Sequence, residues 1–308
     1  MKYDCSYDLI TILGATATGK TKLAVQIANE IDGEVISADS RQVYKGMDIG
    51  TGKDLNEYIL NNNKKIPYHL IDIINPQNNY NVLQFQKDTQ KILLELIKRK
   101  KIPILCGGTG LYIKAILMNY QLPAVKPNLK LREKLAHDNL NDLIKKLDFI
   151  CNGNSQKYLI DTKRRVIRAI EIEINIKENK KNKQHSFQKL FNNPLVIGIE
   201  FPRDIIKEKI TKRLHERLKE GMIEEVIDLI NNGISHEKLE SFGLEYRYIS
   251  LYLQKKITID DMKEKLNIAI HQFSKRQMTF FRNIEKNGIK IHWVSNDYDS
   301  ILKLIRTK

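Results

Sequence analysis

The sequence has little of what zinc-binding, secreted and membrane proteins need. Its 308 residues include only three cysteines (Cys5, Cys106 and Cys151), widely spaced and without a C-x-x-C pair. This predicts reduced thiols and no zinc site. No apolar run approaches the ~20 residues of a membrane span. Residues 1–5 lead almost directly into the first apolar run, so we expect no signal or transit peptide. Together these absences favour a cytoplasmic protein without a membrane partner.

Acidic residues are outnumbered. Lys and Arg number 52 against 37 Asp and Glu, which gives a formal net charge of +15. Such a balance favours a polyanionic partner. The alternative is compositional drift in an A+T-rich genome, because Lys, Ile and Asn are abundant throughout. The distribution of the basic residues must decide between the two.

An octapeptide directly after the apolar run 9–13 carries the strongest signal. It fits the phosphate-loop pattern G-x-x-x-x-G-K-[ST] between a strand and an amphipathic helix. A glycine turn that opens a buried helix would explain the glycines but not the Lys-Thr pair. In such loops backbone N–H groups and a lysine hold phosphates, while the last hydroxyl ligates Mg²⁺. We therefore predict a diphosphate or triphosphate site, with Mg²⁺ on Thr21, formed by Gly14, Ala15, Thr16, Ala17, Thr18, Gly19, Lys20 and Thr21.

Short apolar strands alternate with helices, which predicts an α/β fold with a parallel sheet flanked by helices. Strands are expected at 9–13, 34–37, 69–73, 102–106, 195–199 and 289–294. Helices are expected at 22–31, 82–100, 204–220, 223–231 and 260–284. Ligands of such sheets bind beyond the carboxyl ends of the strands. The phosphate loop, residues 38–40 and the glycine turn 107–110 all follow strands, so they should meet in one crevice.

The pattern becomes purely helical in the middle of the chain. We predict a helical insertion domain at residues 118–194 between the two parts of the core, 1–117 and 195–308. The end of the insertion, residues 175–193, is polar and rich in lysine, which predicts a mobile loop.

Two further polar groups should face the crevice. Asp39 follows the second strand, where a carboxylate could accept a proton or support a metal ion, although Asp-Ser after a strand can equally cap a helix. Asp72, at the end of the third predicted strand, is a second candidate for the carboxylate that supports a metal ion, but we expect it to have a structural role. Thr109 lies in the glycine turn and adds a hydroxyl.

Basic residues cluster at three places: residues 163–168, the pair Arg213 and Arg217, and residues 275–282. The pair is four residues apart and so shares one helix face. The last cluster mixes basic and aromatic residues, as RNA-binding surfaces often do. Each cluster alone would be a solvated helix face, but the three together with the net charge favour RNA.

Five segments resemble the tRNA dimethylallyltransferase (isopentenyltransferase, or IPP transferase) family. They are GATATGKT at 14–21, SADSRQVYKGMDIGT at 37–51, GGTGLY at 107–112, RVIRAIE at 165–171 and KRQMTFFR at 275–282. The similarity runs nearly end to end, and residues 39–51 are its most specific part because ordinary phosphate-loop kinases lack them. Residues 243–246 are a looser version of a glycine-tyrosine segment of the family. The cysteine-histidine finger of the eukaryotic relatives is absent, so the bacterial type is favoured.

The resemblance implies a P-loop NTPase-like core that binds an isoprenoid diphosphate. The implied reaction transfers a dimethylallyl group from dimethylallyl diphosphate to N6 of adenosine 37, 3′ of the anticodon, in tRNAs that read codons beginning with U. Diphosphate is released. By resemblance Asp39 accepts the proton, and Lys20, Thr21 and Arg213 act with Mg²⁺ on the diphosphate. A monomer is implied to bind the anticodon stem-loop through Asp39, Ser40, Arg41, Gln42, Thr109, Arg132, Arg164, Arg165, Arg168, Lys275, Arg276, Gln277 and Arg282.

Two other functions share the phosphate loop. A small-molecule kinase would use Asp39 to activate a hydroxyl, but it leaves the net charge and the basic clusters unexplained. An RNA-binding NTPase would explain the charge, yet the sequence has no clear strand with an acidic pair and no switch-like segment.

Overall fold

The computed structural model describes residues 5–178, 188–295 and 297–306. Its strands are β1 (Leu9–Gly14), β2 (Gly33–Ser37), β3 (Tyr68–His69), β4 (Ile102–Gly107), β5 (Pro194–Ile199) and β6 (His292–Val294). They form one sheet in the order β3-β2-β4-β1-β5-β6, and every neighbouring pair is parallel. The predicted α/β class with a parallel sheet is confirmed.

Twelve α-helices accompany the sheet within the described ranges. They are α1 (Lys20–Ile31), α2 (Val82–Lys98), α3 (Gly110–Leu117), α4 (Leu129–Ala136), α5 (Leu140–Ile150), α6 (Lys163–Glu178), α7 (Arg203–Lys219), α8 (Met222–Asn231), α9 (His236–Phe242), α10 (Leu244–Leu253), α11 (Ile259–Lys286) and α12 (Tyr298–Arg306). None of these helices combines the length and the apolar character that crossing a bilayer requires.

The central strand β1 sets the position of the functional residues. It lies between β4 and β5 and all its residues are buried, which is why it is a continuous apolar run. Ile10 and Ile12 pack with Leu23 and Ile27 of α1 and with Ile301 of α12. The phosphate loop therefore leaves the sheet at the middle of its carboxyl edge.

Two predicted strands are shorter in the structure. The third was expected at 69–73 but ends at His69, because Leu70 and Asp72 adopt positive φ angles of 62° and 55°. The last was expected from residue 289 but begins at His292, after Gly288 with φ 95°. Helices α9, α10 and α12 were not predicted, since they are short and bury few residues each.

The chain folds as two compact units, one made of Met1–Tyr120 with Gln188–Lys308 and the other of Gln121–Phe187. The second unit has its own core, in which Leu143, Leu147, Val166 and Ile170 are buried. The predicted mobile loop at 175–193 is wrong at its start, because α6 continues through Glu178. Residues 179–187 of that loop lie outside the described residues, and residues 188–193 form neither helix nor strand.

Candidate active site

The phosphate loop connects β1 to α1. Gly14 ends β1, and a Cβ there would lie 2.8 Å from the carbonyl oxygen of Ile199, so glycine alone fits. The Thr18 hydroxyl donates to the Ala15 carbonyl at 2.8 Å. Helix α1 begins at Lys20, so the last two residues of the loop, Lys20 and Thr21, lie in its first turn. The predicted order of strand, loop and helix is confirmed, and the helix N-terminus points its partial positive charge at the loop.

Lys20 is the cation of this loop. Its Nζ donates to the Ala15 carbonyl at 2.6 Å and lies 3.4 Å from Thr18 Oγ1. Burial is the main cause that lowers the pKa of Lys20 to about 8; the positive charge of Arg213 acts in the same direction, and Cys106 and Asp39 act against it. The ammonium therefore gains electrostatic stabilisation when an anion binds beside it.

Asp39 follows β2 and lies in a turn. Its Oδ1 accepts the N–H of Arg41 at 2.8 Å, and residues 40–43 form turns rather than a helix. The alternative that Asp39 caps a helix is therefore wrong. No described residue donates a hydrogen bond to Oδ2, so this oxygen remains available to accept a proton or to bind a metal ion.

The second glycine turn lies against the Asp39 segment. A Cβ on Gly107 would lie 2.3 Å from the carbonyl oxygen of Ala38, so this close approach requires glycine. The N–H of Thr109 donates to the same carbonyl at 3.1 Å, and Thr109 Oγ1 accepts the N–H of Ser40 at 3.0 Å. The loops that follow β2 and β4 are thus fixed to each other.

These loops line a cavity of about 320 Å³, within the usual range for small-molecule sites. Residues far apart in sequence meet there, as the sheet topology predicts. From the predicted set the cavity is lined by Thr16, Lys20, Thr21, Asp39, Ser40, Arg41, Gln42, Thr109, Arg213 and Gln277. The predicted residues outside its lining are Gly14, Ala15, Ala17, Thr18, Gly19, Arg132, Arg164, Arg165, Arg168, Lys275, Arg276 and Arg282.

Helix α7 adds two cations to the cavity. Arg213 and Arg217 place their Nη2 atoms 2.7 and 3.4 Å from Asp54 Oδ2. Burial, followed by the nearby charge of Arg213, lowers the pKa of Arg217, although a guanidinium keeps its charge at neutral pH. With Lys20 the cavity presents three positive charges to an anion. Arg217 was not among the predicted site residues. Its position four residues after Arg213 puts both side chains on one helix face, and this spacing could have identified it.

Glu225 of α8 fixes one wall of the cavity. Its carboxylate accepts the N–H groups of Asp48, Ile49 and Gly50 at 2.7, 2.6 and 3.1 Å. The Tyr246 hydroxyl donates to the same carboxylate at 2.8 Å. The three backbone contacts span more than 170 residues, so sequence reasoning missed Glu225.

Lys53 is buried beside the same wall. Its Nζ donates to the Tyr44 carbonyl and to Asp48 Oδ1, both at 2.6 Å, and to the Asp72 carboxylate. Asp72 is thus paired with Lys53, which confirms the structural role expected for it.

Two glutamines of the predicted set bridge backbone segments. Gln277 is buried, its Oε1 accepts the N–H of Thr16 at 3.0 Å, and its Nε2 donates to the Gly108 carbonyl at 2.9 Å. Gln42 Nε2 donates to the Gly52 carbonyl at 3.0 Å. Gln277 therefore ties the phosphate loop to the second glycine turn. The contact of either residue with tRNA stays a prediction.

The basic residues of α11 and of the unit Gln121–Phe187 differ in their partners. Lys275, Arg276 and Arg282 are exposed on α11. In the other unit Arg132 and Arg168 both pair with the buried carboxylate of Glu171, at 2.7 and 3.0 Å. Burial alone would raise the pKa of Glu171, but the hydrogen bonds from these arginines hold it below its usual value. The two arginines thus stabilise their own unit.

The remaining members of that cluster are exposed. Arg164 and Arg165 lie on the solvent face of α6, and Arg165 pairs with Asp161 at 2.6 Å. An exposed pair of this kind is weak and is easily exchanged for a phosphate. Contact of the arginines in this unit with tRNA stays a prediction.

The loosely matching segment at 243–246 also reaches the cavity. Gly243, Leu244 and Glu245 line it, together with Phe242 and Phe273. Burial raises the pKa of the Glu245 carboxyl. The aromatic rings and this carboxyl were not predicted, because the motif departs from the family pattern there.

The chemistry of the donor atoms fits a magnesium ion. The described residues contain no cluster of three His, Cys, Asp or Glu side chains that could form a protein-only metal site. Mg²⁺ commonly binds through one or two protein oxygens together with substrate phosphates. The Thr21 hydroxyl and the Asp39 carboxylate supply such oxygens in the same cavity.

Comparison with known proteins gives consistent results. The profile of the IPP transferase family matches residues 42–284, and that of isopentenyl transferases matches residues 7–71. The chain is 48% identical over 288 residues to tRNA dimethylallyltransferase 1 of Azobacteroides pseudotrichonymphae, covering 94% of this chain and 93% of that one. It is 46% identical to tRNA dimethylallyltransferase 2 of Phocaeicola vulgatus, covering 98% and 99%.

Solved structures agree with the sequence relatives. The tRNA isopentenylpyrophosphate transferase of Bacillus halodurans superposes with a TM-score of 0.68 at 30% identity, covering 98% of this chain and 95% of that one. A eukaryotic dimethylallyltransferase that acts on tRNA has a TM-score of 0.74 at 23% identity, covering 94% and 75%. The second similarity concerns the fold alone.

Proposed function

The chain belongs to the IPP transferase family, and from this premise we propose that it is a tRNA dimethylallyltransferase. It transfers the dimethylallyl group of dimethylallyl diphosphate to the N6 amine of adenosine 37, 3′ of the anticodon, in tRNAs that read codons beginning with U. The observation that carries the proposal is the shared cavity, where an anion site of three cations faces a carboxylate with a free oxygen. Kinase and NTPase activities are disfavoured by the family.

The cations act on the leaving group. As the allylic C–O bond breaks, negative charge develops on the diphosphate, where the loop N–H groups, Lys20, Arg213 and Arg217 stabilise it. When bound, a magnesium ion held by Thr21 would neutralise part of the same charge. These groups are preorganised, since Asp54 holds both arginines in place.

Asp39 acts on the acceptor. The lone pair of an adenine amine is delocalised, so its proton must leave while the new bond forms. In the proposed step the N–C bond forms, the C–O bond breaks, Asp39 Oδ2 takes the proton and diphosphate departs. The adenine reaches the cavity only when it is turned out of the anticodon stack, at an unstacking cost of a few kcal/mol. Thr109 and Ser40 fix the loop that carries Asp39.

We expect dimethylallyl diphosphate to protect the protein against heat more than ATP does at equal concentration. A ligand raises stability in proportion to the logarithm of its concentration over Kd. The donor site in this cavity is proposed for a diphosphate with a five-carbon tail, not for a nucleotide. Differential scanning fluorimetry with Mg²⁺ measures both ligands. Stronger protection by ATP, accompanied by ATP hydrolysis, would contradict the proposal.

Donor affinity should fall when the pH rises above 8. Lys20 carries its proton below its pKa of about 8 and loses it above, while the phosphates of the donor are already ionised. The bound diphosphate raises this pKa, so binding takes up a proton in this range. We expect Kd, measured by calorimetry, to rise with pH above 8 by up to about tenfold per pH unit. Lys20→Arg keeps its positive charge, so the Kd of this variant should not change with pH in this range. If the Kd of the wild type were equally independent of pH, the assignment to Lys20 would be contradicted.

We further propose that the exposed cations Arg164, Arg276 and Arg282 contact tRNA phosphates, because none of them forms an ion pair with another described residue. Replacing each by Gln should raise KM for tRNA and reduce the log–log salt dependence of affinity by about 0.7 per lost phosphate contact. Donor affinity should not change. Lys91→Gln, the same charge change on exposed α2, is the matched control. Equal salt slopes for all four variants and the wild type would contradict these contacts.

A cytoplasmic location and a monomeric state complete the proposal. The free cysteines and the proposed tRNA substrate support the cytoplasmic location. Gel filtration of the free protein and of its tRNA complex tests the monomeric state.

A further inference from the structure

A second cavity, of about 520 Å³, lies beside the phosphate loop and shares no lining residue with the active cavity. Ala15 and Thr18 of the loop contribute to it, together with the end of β5, the first turns of α7 and one face of α11. The reaction described above uses none of these side chains for chemistry. The cavity therefore needs its own explanation.

Its most informative residue is Ser274. This side chain is 5% exposed, lines the cavity and forms no hydrogen bond with any described residue. Ser250, another buried serine, bonds to His236 Nδ1 at 2.9 Å. The Oγ of Ser274 is accessible from the cavity, so a ligand that displaces water there has to supply a hydrogen bond in return. Ser274 thus indicates a ligand with a polar edge.

The other walls restrict the ligand further. Phe201, Ile206, Ile210 and Met278 give the cavity an apolar interior against which a flat ring can pack. Four cations also line it, Arg203, Lys207, Lys275 and Arg282, against the single carboxylate of Glu200. An isoprenoid chain would suit the apolar walls but would leave the Ser274 hydroxyl unpaired. A ring with polar edges and an attached phosphate satisfies all three features.

We propose that this cavity is a binding site for a nucleoside phosphate. The base packs between Phe201 and Met278 with one edge on the Ser274 hydroxyl, and the phosphate meets the surrounding cations. Two sources offer this chemistry: a free nucleotide, and an unpaired nucleotide of an RNA bound along the exposed cations of α11. The inference does not depend on the proposed transfer reaction, because it concerns binding in a separate cavity.

The test measures binding of adenosine 5′-monophosphate by calorimetry while Mg²⁺ and inorganic diphosphate saturate the phosphate loop. Ser274→Ala should weaken this binding about three- to tenfold, the usual worth of one hydrogen bond. The same variant should unfold at nearly the wild-type temperature, since the Ser274 hydroxyl has no bond to a described residue that could be lost. Ser250→Ala is the matched control: it should lower stability, because it breaks a formed bond, and leave nucleotide affinity unchanged.

A second variant fills the cavity without touching Ser274. Met278→Trp should weaken binding by more than tenfold while inorganic diphosphate still binds normally. Absence of saturable binding to the wild type would overturn the proposal, as would unchanged affinity in both Ser274→Ala and Met278→Trp. Because none of these readouts uses prenyl transfer, a failed transfer assay would leave this result intact.

The source is decided with an anticodon stem-loop RNA. If saturating RNA displaces the mononucleotide from the wild type, the cavity holds a nucleotide of the RNA. If both bind together, the cavity holds a free nucleotide. Either outcome supports a nucleoside phosphate site, whereas binding of inorganic phosphate as strongly as of the nucleotide would contradict it, since the base would then contribute nothing.

Discussion

Asp39→Asn is expected to lower kcat by a factor on the order of 10²–10⁴, the usual contribution of a positioned general base. The amide keeps an oxygen that can accept the N–H of Arg41, so the turn should persist. An amide cannot take the proton of the adenine amine, so the chemical step is lost selectively. Single-turnover rates together with Kd values for the donor and the RNA measure this, and both Kd values should change only a few fold.

The control for this variant is Asp204→Asn, which makes the same chemical change on an exposed residue of α7. It should leave kcat unchanged. Near-normal turnover by Asp39→Asn would show that Asp39 is not the general base and only stabilises its turn. The proton would then leave through water or through the diphosphate.

Lys20→Met is expected to lower kcat/KM for the donor by about 10²–10³, as the loss of one preorganised electrostatic contact does in other enzymes. The cation acts where charge develops on the leaving diphosphate, so part of the loss should appear in kcat. Methionine retains the length and the apolar stem of lysine. Thermal unfolding without ligand should not be impaired, because burial disfavours the charge of Lys20 in the free protein.

Lys22→Met provides the matched control, since Lys22 lies two residues further along α1 with an exposed side chain. Its kinetics should equal those of the wild type. If Lys20→Met affected only KM, Lys20 would contribute equally to ground state and transition state, and Arg213 with Arg217 would carry the catalytic stabilisation.

The parts of the fold that sequence predicted rest on local patterns. The phosphate loop, the buried runs of β1, β4 and β5, and the Asn81-capped α2 each have a signal within a few residues. The third strand was overestimated because the apolar run 69–73 resembles a strand. Its positive φ angles and the pairing of Asp72 with Lys53 depend on contacts that periodicity does not show.

Long-range contacts explain what sequence missed at the site. Glu225 and Tyr246 reach the wall at 48–50 from distant helices. Gln277 was predicted as a tRNA contact, but its bridge to the phosphate loop, across 261 residues, was not. Likewise the arginines of α6 looked equivalent in sequence. Their roles differ because Arg168 pairs with the buried carboxylate of Glu171, whereas Arg164 is exposed.

If the phosphate loop of this chain serves prenyl transfer to RNA, the allylic group of the donor must end on the RNA. The most direct measurement of this transfer incubates the protein and Mg²⁺ with an anticodon stem-loop RNA and either dimethylallyl diphosphate labelled in its allylic carbons or ATP labelled in its γ-phosphate. We predict that allylic label enters the RNA as an N6-substituted adenosine, with one diphosphate released for each transfer. Release or transfer of the γ-phosphate, with no allylic label in the RNA, would contradict it.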